Sequence, residues 1–226
     1  MIIRKDLEQG DPQWLSFREG KITGTKLGKM FAKSRKQEEL FNTEKPMQML
    51  YEIIAERLAT TLTEAEEDFS STMERGLRLE VEATELAVKQ LGLRNVAIDG
   101  VWIDDKNNNY LCSPDAYEDV DKPSWAMEVK CLSSANHVKA IIENEWPSEY
   151  KYQVLNYFLV NPNLQTLYFV MYDRRFINEA LRLKIFTIKR GTLASEIERM
   201  RVVRESALAT IESMVEQLSY INYTGD

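Results

Sequence analysis

The stretch from Trp125 to Cys131, WAMEVKC, constrains this chain more than any other. Its apolar positions alternate with a glutamate and a lysine, the period of a β-strand rather than of a helix. In a strand, Trp125, Met127, Val129 and Cys131 point to one face, while Glu128 and Lys130 share the other. A solvated ion pair is one reading of that second face. A working site built on a sheet is the other, and the surrounding sequence has to decide between them.

Helix and strand signals come before, between and after this stretch. Gly10, Asp11 and Pro12 supply turn chemistry, and a short helix carrying Trp14, Leu15 and Phe17 is expected to follow. Thr23 suits the N-cap of a second helix running through Leu27 and Met30. Segment 46–60 reads as a helix with Pro46 in its first turn, and 71–91 as a long amphipathic helix ended by Gly92. Strands are expected at 100–104, 110–113 and 125–131, the first two joined in a hairpin by the polar run DKNNN. A helix at 145–160, with Pro147 near its start, precedes buried strands at 166–173 and 182–188. A helix at about 192–221 closes the sequence, with Leu193, Ile197, Met200, Ala207, Leu208, Ile211, Met214 and Leu218 on its apolar stripe. No repeat, low-complexity tract or flexible linker breaks this order. The expected architecture is one α/β domain over 1–226, a central mixed sheet flanked by helices, with a basic helical segment at about 1–36.

Composition narrows the chemistry. With 44% hydrophobic residues the chain can bury a core, and no apolar run approaches the roughly 20 residues of a membrane span. The N-terminus lacks an apolar leader segment, so a cytoplasmic protein is expected. Two cysteines, Cys112 and Cys131, and one histidine, His137, exclude a disulfide framework and leave a structural zinc site without ligands. Both cysteines read as small buried thiols. A metal here would rest on carboxylates, which suits Mg²⁺ or Mn²⁺. The net charge of −7 is unevenly spread: residues 1–36 hold nine Lys/Arg against four Asp/Glu, and residues 37–70 hold two against nine. That asymmetry fits binding of a polyanion at one place and its repulsion elsewhere.

Upstream of WAMEVKC, the run LCSPDA places Asp115 just past the end of the expected 110–113 strand. Twelve residues separate Asp115 from Glu128, enough for a hairpin that sets the two carboxylates side by side with Lys130 next to them. Two carboxylates and a lysine converging is costly unless they share a cation. Such a set can bind Mg²⁺, activate a water and stabilise the charge that develops on a phosphodiester. This is the PD…(D/E)xK arrangement of restriction-endonuclease-like nucleases. Glu80, four residues after Gly76 on the helix before the sheet, could add a third carboxylate; a solvated helical glutamate is the plainer reading. Tyr150 and Gln153 share a helical face, and the amide could hold a water or a phosphate or serve only as a surface or capping group.

Taken in order, WLSFREGKITGTKLG, GLRLE, SPDA, EVKC and YKYQVLNY resemble the lambda-exonuclease (YqaJ-type) family of viral recombination exonucleases, from about Trp14 to Tyr157. The resemblance implies a Mg²⁺-dependent exonuclease, with Mn²⁺ as a substitute. It would degrade one strand of linear double-stranded DNA from 5′ to 3′, release 5′-mononucleotides and leave a 3′ overhang. It also implies a homotrimeric ring around DNA, a single-strand annealing protein as partner, and a phage- or prophage-encoded protein in a bacterial cell. By position, Asp115, Glu128 and the backbone carbonyl of Val129 match metal ligands. Lys130 matches the lysine beside the attacking water, Glu80 a supporting carboxylate and Gln153 a glutamine that contacts the site. Arg18 falls where the family's arginine binds a 5′-phosphate, which suits a guanidinium fork in the basic part of the chain. Thr25 falls at a hydroxyl position of the same motif. Trp14 could stack on a base, or anchor the first helix to the core.

Ala116 departs from the family pattern, which has glycine after the aspartate. If that position needs positive φ, alanine costs about 1 kcal/mol there. An endonuclease or repair nuclease of the same fold is one alternative, but it has no need to grip a terminal phosphate. A non-catalytic DNA-binding protein is another, and it would not need Asp115, Glu128 and Lys130 together.

Overall fold

A computed structural model describes residues 1–7, 9–30, 53, 71–98, 100–132, 134–176 and 178–219. The expected helix at 46–60 and the acidic stretch at 37–70 lie outside the described residues, Ile53 excepted. In chain order the strands are β1 (Ile2–Arg4), β2 (Val96–Ile98), β3 (Val101–Ile103), β4 (Leu111–Cys112), β5 (Ala116–Glu118), β6 (Trp125–Lys130), β7 (Thr166–Tyr172) and β8 (Leu183–Lys189). The helices are α1 (Pro12–Arg18), α2 (Gly24–Met30), α3 (Ser71–Leu91), α4 (Ser134–Glu143), α5 (Lys151–Val160) and α6 (Ala194–Ser219).

The WAMEVKC strand, β6, is the middle of a five-stranded mixed sheet in the order β2-β5-β6-β7-β8. Only β6 and β7 run parallel, and α4 and α5 make the crossover between them. β7 is apolar on both faces because both are covered. Val170 and Tyr172 pack with Leu79, Ala83 and Ala87 of α3, while Leu167, Phe169 and Met171 pack with Val154, Tyr157 and Phe158 of α5. β6 divides differently. Met127 and Val129 join the α3 layer, and Glu128 and Lys130 turn toward α5. A second, three-stranded sheet, β1-β3-β4, holds the DKNNN hairpin.

Local signals set the helix ends. Asp11 caps α1, its Oδ1 accepting from the Trp14 amide at 2.6 Å, and Thr23 Oγ1 accepts from the Lys26 amide at 3.3 Å at the start of α2. Gly92, at φ +63°, ends α3: its amide donates to Lys89 and that of Leu93 to Val88, the paired bonds of a Schellman cap.

Three expectations need correction. The strand at 110–113 does not pair with β6; it joins β3 in the smaller sheet, and the neighbour of β6 is β5, which begins immediately after Asp115. β5 spans three residues, too few to show a period in sequence. The helix expected from 145 starts at Lys151, after a 3₁₀ turn over Ser148–Tyr150 with Pro147 just ahead of it. Finally, β1, β2 and α4 were not anticipated, the two strands being short and α4 opening on polar residues. Ala116 carries no strain. It lies in β5 opposite Met127, and among the described residues the non-glycine positions with positive φ are Asn95 and Asn144.

Candidate active site

The β5–β6 register pairs Ala116 with Met127, so the next residue out, Asp115, stands opposite Glu128. The Asp115 amide donates to the Met127 carbonyl at 3.1 Å, which extends the ladder by that one step. On the side chain, the Val129 amide donates to Asp115 Oδ2 at 2.6 Å and Gln9 Nε2 reaches Oδ1 at 3.4 Å. Glu128 is 2% exposed. Its Oε1 accepts from Gln153 Nε2 and pairs with Lys130 Nζ, and its Oε2 accepts from the Tyr157 hydroxyl. Lys130 Nζ also sits 5.5 Å from the centre of the Tyr150 ring. Backbone polar groups of alternate strand residues face the same edge, so the Val129 carbonyl points past the end of β5 toward Asp115.

The electrostatics follow from burial and crowding. Burial pushes the Asp115 carboxyl well above the usual range; Glu128 and Glu80 push the same way, and Lys130 and the Val129 amide only partly oppose them. For Lys130, burial pulls downward, but Glu128, Asp115 and Glu80 more than reverse it and hold the ammonium above its ordinary value. The Tyr157 hydroxyl is raised by burial first and then by Glu128 and Asp115, so it stays a donor. Cys112, which also lines the cleft, is raised by burial and stays an inert thiol.

A cleft of about 240 Å³ runs from these carboxylates to Arg18. Arg18 Nη1 donates to Ser113 Oγ at 2.8 Å, and its guanidinium lies 4.0 Å over the Trp14 ring, whose Nε1 donates to the same Oγ at 3.3 Å. Burial lowers the Arg18 guanidinium to about 10, against the opposing pull of Tyr157, Cys112 and Glu128, and it remains a cation at neutral pH. The Tyr157 hydroxyl bridges the two ends, lying 2.8 Å from the Ser113 carbonyl as well as against Glu128. Gly24 lets α2 close on α5, and exposed Thr25 follows it on the cleft wall.

Asp115, Glu128, Lys130, Gln153, Arg18, Thr25 and Trp14 therefore all line one cleft. Glu80 does not line it; it stands half-buried on α3 and acts on Asp115 and Lys130 through its charge. Trp14 packs against the small core of Leu7, Val101, Ile103 and Leu111, which favours the anchoring reading, with Arg18 stacked on its ring. Sequence reasoning missed Gln9, Ser113 and Tyr157. Tyr157, one helical turn after Gln153, had a usable signal, and Ser113 lay within SPD.

The donor set fits a hard divalent cation. Two buried carboxylates stand opposite each other with a carbonyl at the same edge, and Asp115 is raised first by burial and then by the Glu128 charge, which a cation would offset. Among the described residues no third Asp, Glu, His or Cys joins them, so water would complete the shell of a bound Mg²⁺. His137 is buried in α4 with Nε2 2.8 Å from the Leu181 carbonyl and does not line the cleft.

Residues 13–162 match the sequence pattern of the YqaJ-like viral recombinase domain. Comparison with curated proteins gives no match. Among solved structures, LHK-Exo, an alkaline exonuclease from Laribacter hongkongensis, superposes with a TM-score of 0.74 at 23% identity, covering 92% of this chain and 96% of its own. Its complex with dAMP gives the same values. A phage-related exonuclease from Haemophilus somnus 129PT gives a TM-score of 0.57 at 15% identity, over 88% of this chain and 96% of its own. At these identities the likeness is one of fold.

Proposed function

This chain belongs to the YqaJ-like viral recombinase family, and from that premise we propose that it is a metal-dependent deoxyribonuclease, a 5′ to 3′ exonuclease on linear double-stranded DNA. The observation that carries the reading is one cleft with buried Asp115 and Glu128 and half-buried Lys130 at one end and Arg18 at the other. Exonucleases among the structures of similar fold support it.

Asp115, Glu128 and the Val129 carbonyl would hold Mg²⁺ or Mn²⁺. When bound, the ion supplies Lewis-acid polarisation and a water of lowered pKa. Lys130 orients the attacking water and meets charge developing on the phosphate. Gln153 and Tyr157 hold Glu128 in place, and Glu80 backs the site through its charge. At the other end Arg18 grips the terminal 5′-phosphate. Ser113 Oγ already accepts from Arg18 and Trp14, which leaves its own proton to donate, and Thr25 offers a second hydroxyl. Release of 5′-mononucleotides would leave a 3′ overhang. A homotrimeric ring, a single-strand annealing partner and a phage origin are supported by the family likeness alone. No helix among the described residues is long and apolar enough to cross a membrane.

The test is Mg²⁺-dependent digestion of linear duplex DNA labelled on a 5′-phosphorylated strand, beside covalently closed circular DNA. Mononucleotide release from the linear form alone, abolished in Lys130→Ala and weakened in Arg18→Ala, is expected. Cutting of the circle would move the assignment to an endonuclease. Binding without cleavage in Mg²⁺ or Mn²⁺ would make it a DNA-binding relative.

A further inference from the structure

Tyr157 touches both ends of the cleft, with its hydroxyl against Glu128 Oε2 and 2.8 Å from the Ser113 carbonyl. It is 1% exposed and packed in the core, so the hydroxyl can rotate while the ring cannot move away. A phenol carries one proton, and both neighbours are acceptors. Whichever acceptor lacks the proton is left poorly satisfied in a buried place, which costs about 1–3 kcal/mol. Ser113 in turn carries the hydroxyl to which Arg18 Nη1 and Trp14 Nε1 donate.

We infer that Tyr157 couples the two ends of the cleft, so that a divalent cation at Asp115 and Glu128 and a phosphate at Arg18 strengthen each other's binding. This rests on the nuclease reading above and deepens it. A cation held by Asp115 and Glu128 would compete with the Tyr157 hydroxyl for the Glu128 carboxylate and leave the Tyr157 proton to the Ser113 carbonyl. That bond fixes Ser113, and with it the hydroxyl that orients Arg18 toward an incoming phosphate. By linkage the effect is reciprocal: a phosphate that holds Ser113 and Arg18 in place favours the same rotamer and opens Glu128 Oε2 to the cation. Tyr157 is thus a positioning residue, acting through Glu128 and Ser113.

The test uses the full chain, dAMP and Mn²⁺, with deoxyadenosine as the probe lacking phosphate. A mononucleotide has no internucleotide bond to cleave, so calorimetric binding is read without turnover. The quantity is the ratio of the dAMP dissociation constants without and with Mn²⁺, corrected for the Mn²⁺–dAMP complex free in solution. In the wild type a ratio of about 5 or more is expected, the lower end of ordinary coupling between sites. Tyr157→Phe and, independently, Ser113→Ala should bring it toward 1, whereas Tyr150→Phe, which removes a hydroxyl bonded to Glu149 and outside the link from Glu128 through Tyr157 to Ser113, should keep it. Thermal melts establish that each variant is folded. A wild-type ratio preserved in Tyr157→Phe overturns the inference and means that phosphate and metal couple by direct contact. A wild-type ratio near 1 overturns it too, while digestion of linear DNA would leave the nuclease reading standing. Binding of neither probe by the wild type overturns both.

Discussion

A methyl group at Gly24 should disturb both stability and chemistry, because Gly24 is packed directly against α5. A Cβ built there meets Gln153 Cγ at 3.1 Å, Gln153 Cα at 3.3 Å and Asn156 Nδ2 at 3.6 Å. The first contact can be relieved by moving a side chain, but the second is to helix backbone. Forcing one methyl into a packed contact costs about 1–3 kcal/mol. Replacing glycine by alanine in a helix returns up to about 1 kcal/mol through the unfolded state. The expected net effect of Gly24→Ala is a loss of about 1 kcal/mol, read as a lower urea midpoint at unchanged slope. Nuclease activity should fall with it, because the side chain that yields is the one whose amide holds Glu128 Oε1. Gln153→Ala removes Cγ but leaves Cα. The double variant should therefore recover part of the stability cost, with an interaction energy of about 0.5 kcal/mol or more. A Gly24→Ala protein as stable and active as the wild type, with no interaction in the cycle, would refute the packing argument.

Lys130→Ala should lower the rate of DNA hydrolysis by about 10²- to 10⁴-fold while the fold survives, as checked by single-turnover kinetics and thermal melting. Asp104→Ala should cost about 3–5 kcal/mol in urea unfolding. It strands Arg204, which is 4% exposed, bonded to Asp104 at 2.9 Å and without a partner for Nε or Nη1; Arg204→Met, which removes the charge as well, should cost less. Equal losses in the two variants would count against a buried ion pair. Acid sensitivity should depend in part on Asp173. Burial alone would raise its carboxyl, but hydrogen bonds from Arg175 and Ser134 outweigh that and hold it below the ordinary range. A depressed folded-state value means that the unfolded chain binds the proton first on acidification. Its stabilisation is therefore full above about pH 5 and is lost as pH falls toward 2. Asp173→Asn should flatten the fall in melting temperature over that window, and an unchanged slope would exclude Asp173 as a contributor.

Much of the site was legible because strand periodicity and ordered motifs are local properties of the chain. Alternation in WAMEVKC placed Glu128 and Lys130 on one face, as β6 has them, and the spacing from Asp115 required a turn back toward Glu128. The partner strand was misassigned because β4, apolar and visible, ends before Asp115, whereas β5 starts after it and spans three residues. The two carboxylates still meet, since a ladder running on either side of Asp115 brings it to the same edge. Gln9 gave no warning. It lies in a turn more than a hundred residues from Asp115, and nothing in LEQGD marks one amide as facing a carboxylate.

The division between sequence and structure follows from range. Amphipathic period, caps and turn residues act over a few positions, so the succession of the longer helices and strands, the helix ends at Thr23 and Gly92, and the shared face of Glu128 and Lys130 were set by the sequence alone. Which strand lies beside β6, how burial raises Asp115, and the link from Arg18 through Ser113 and Tyr157 to Glu128 depend on atoms far apart in the chain. Desolvation and hydrogen-bond partners exist only once the layers have closed, and only the tertiary structure decided them.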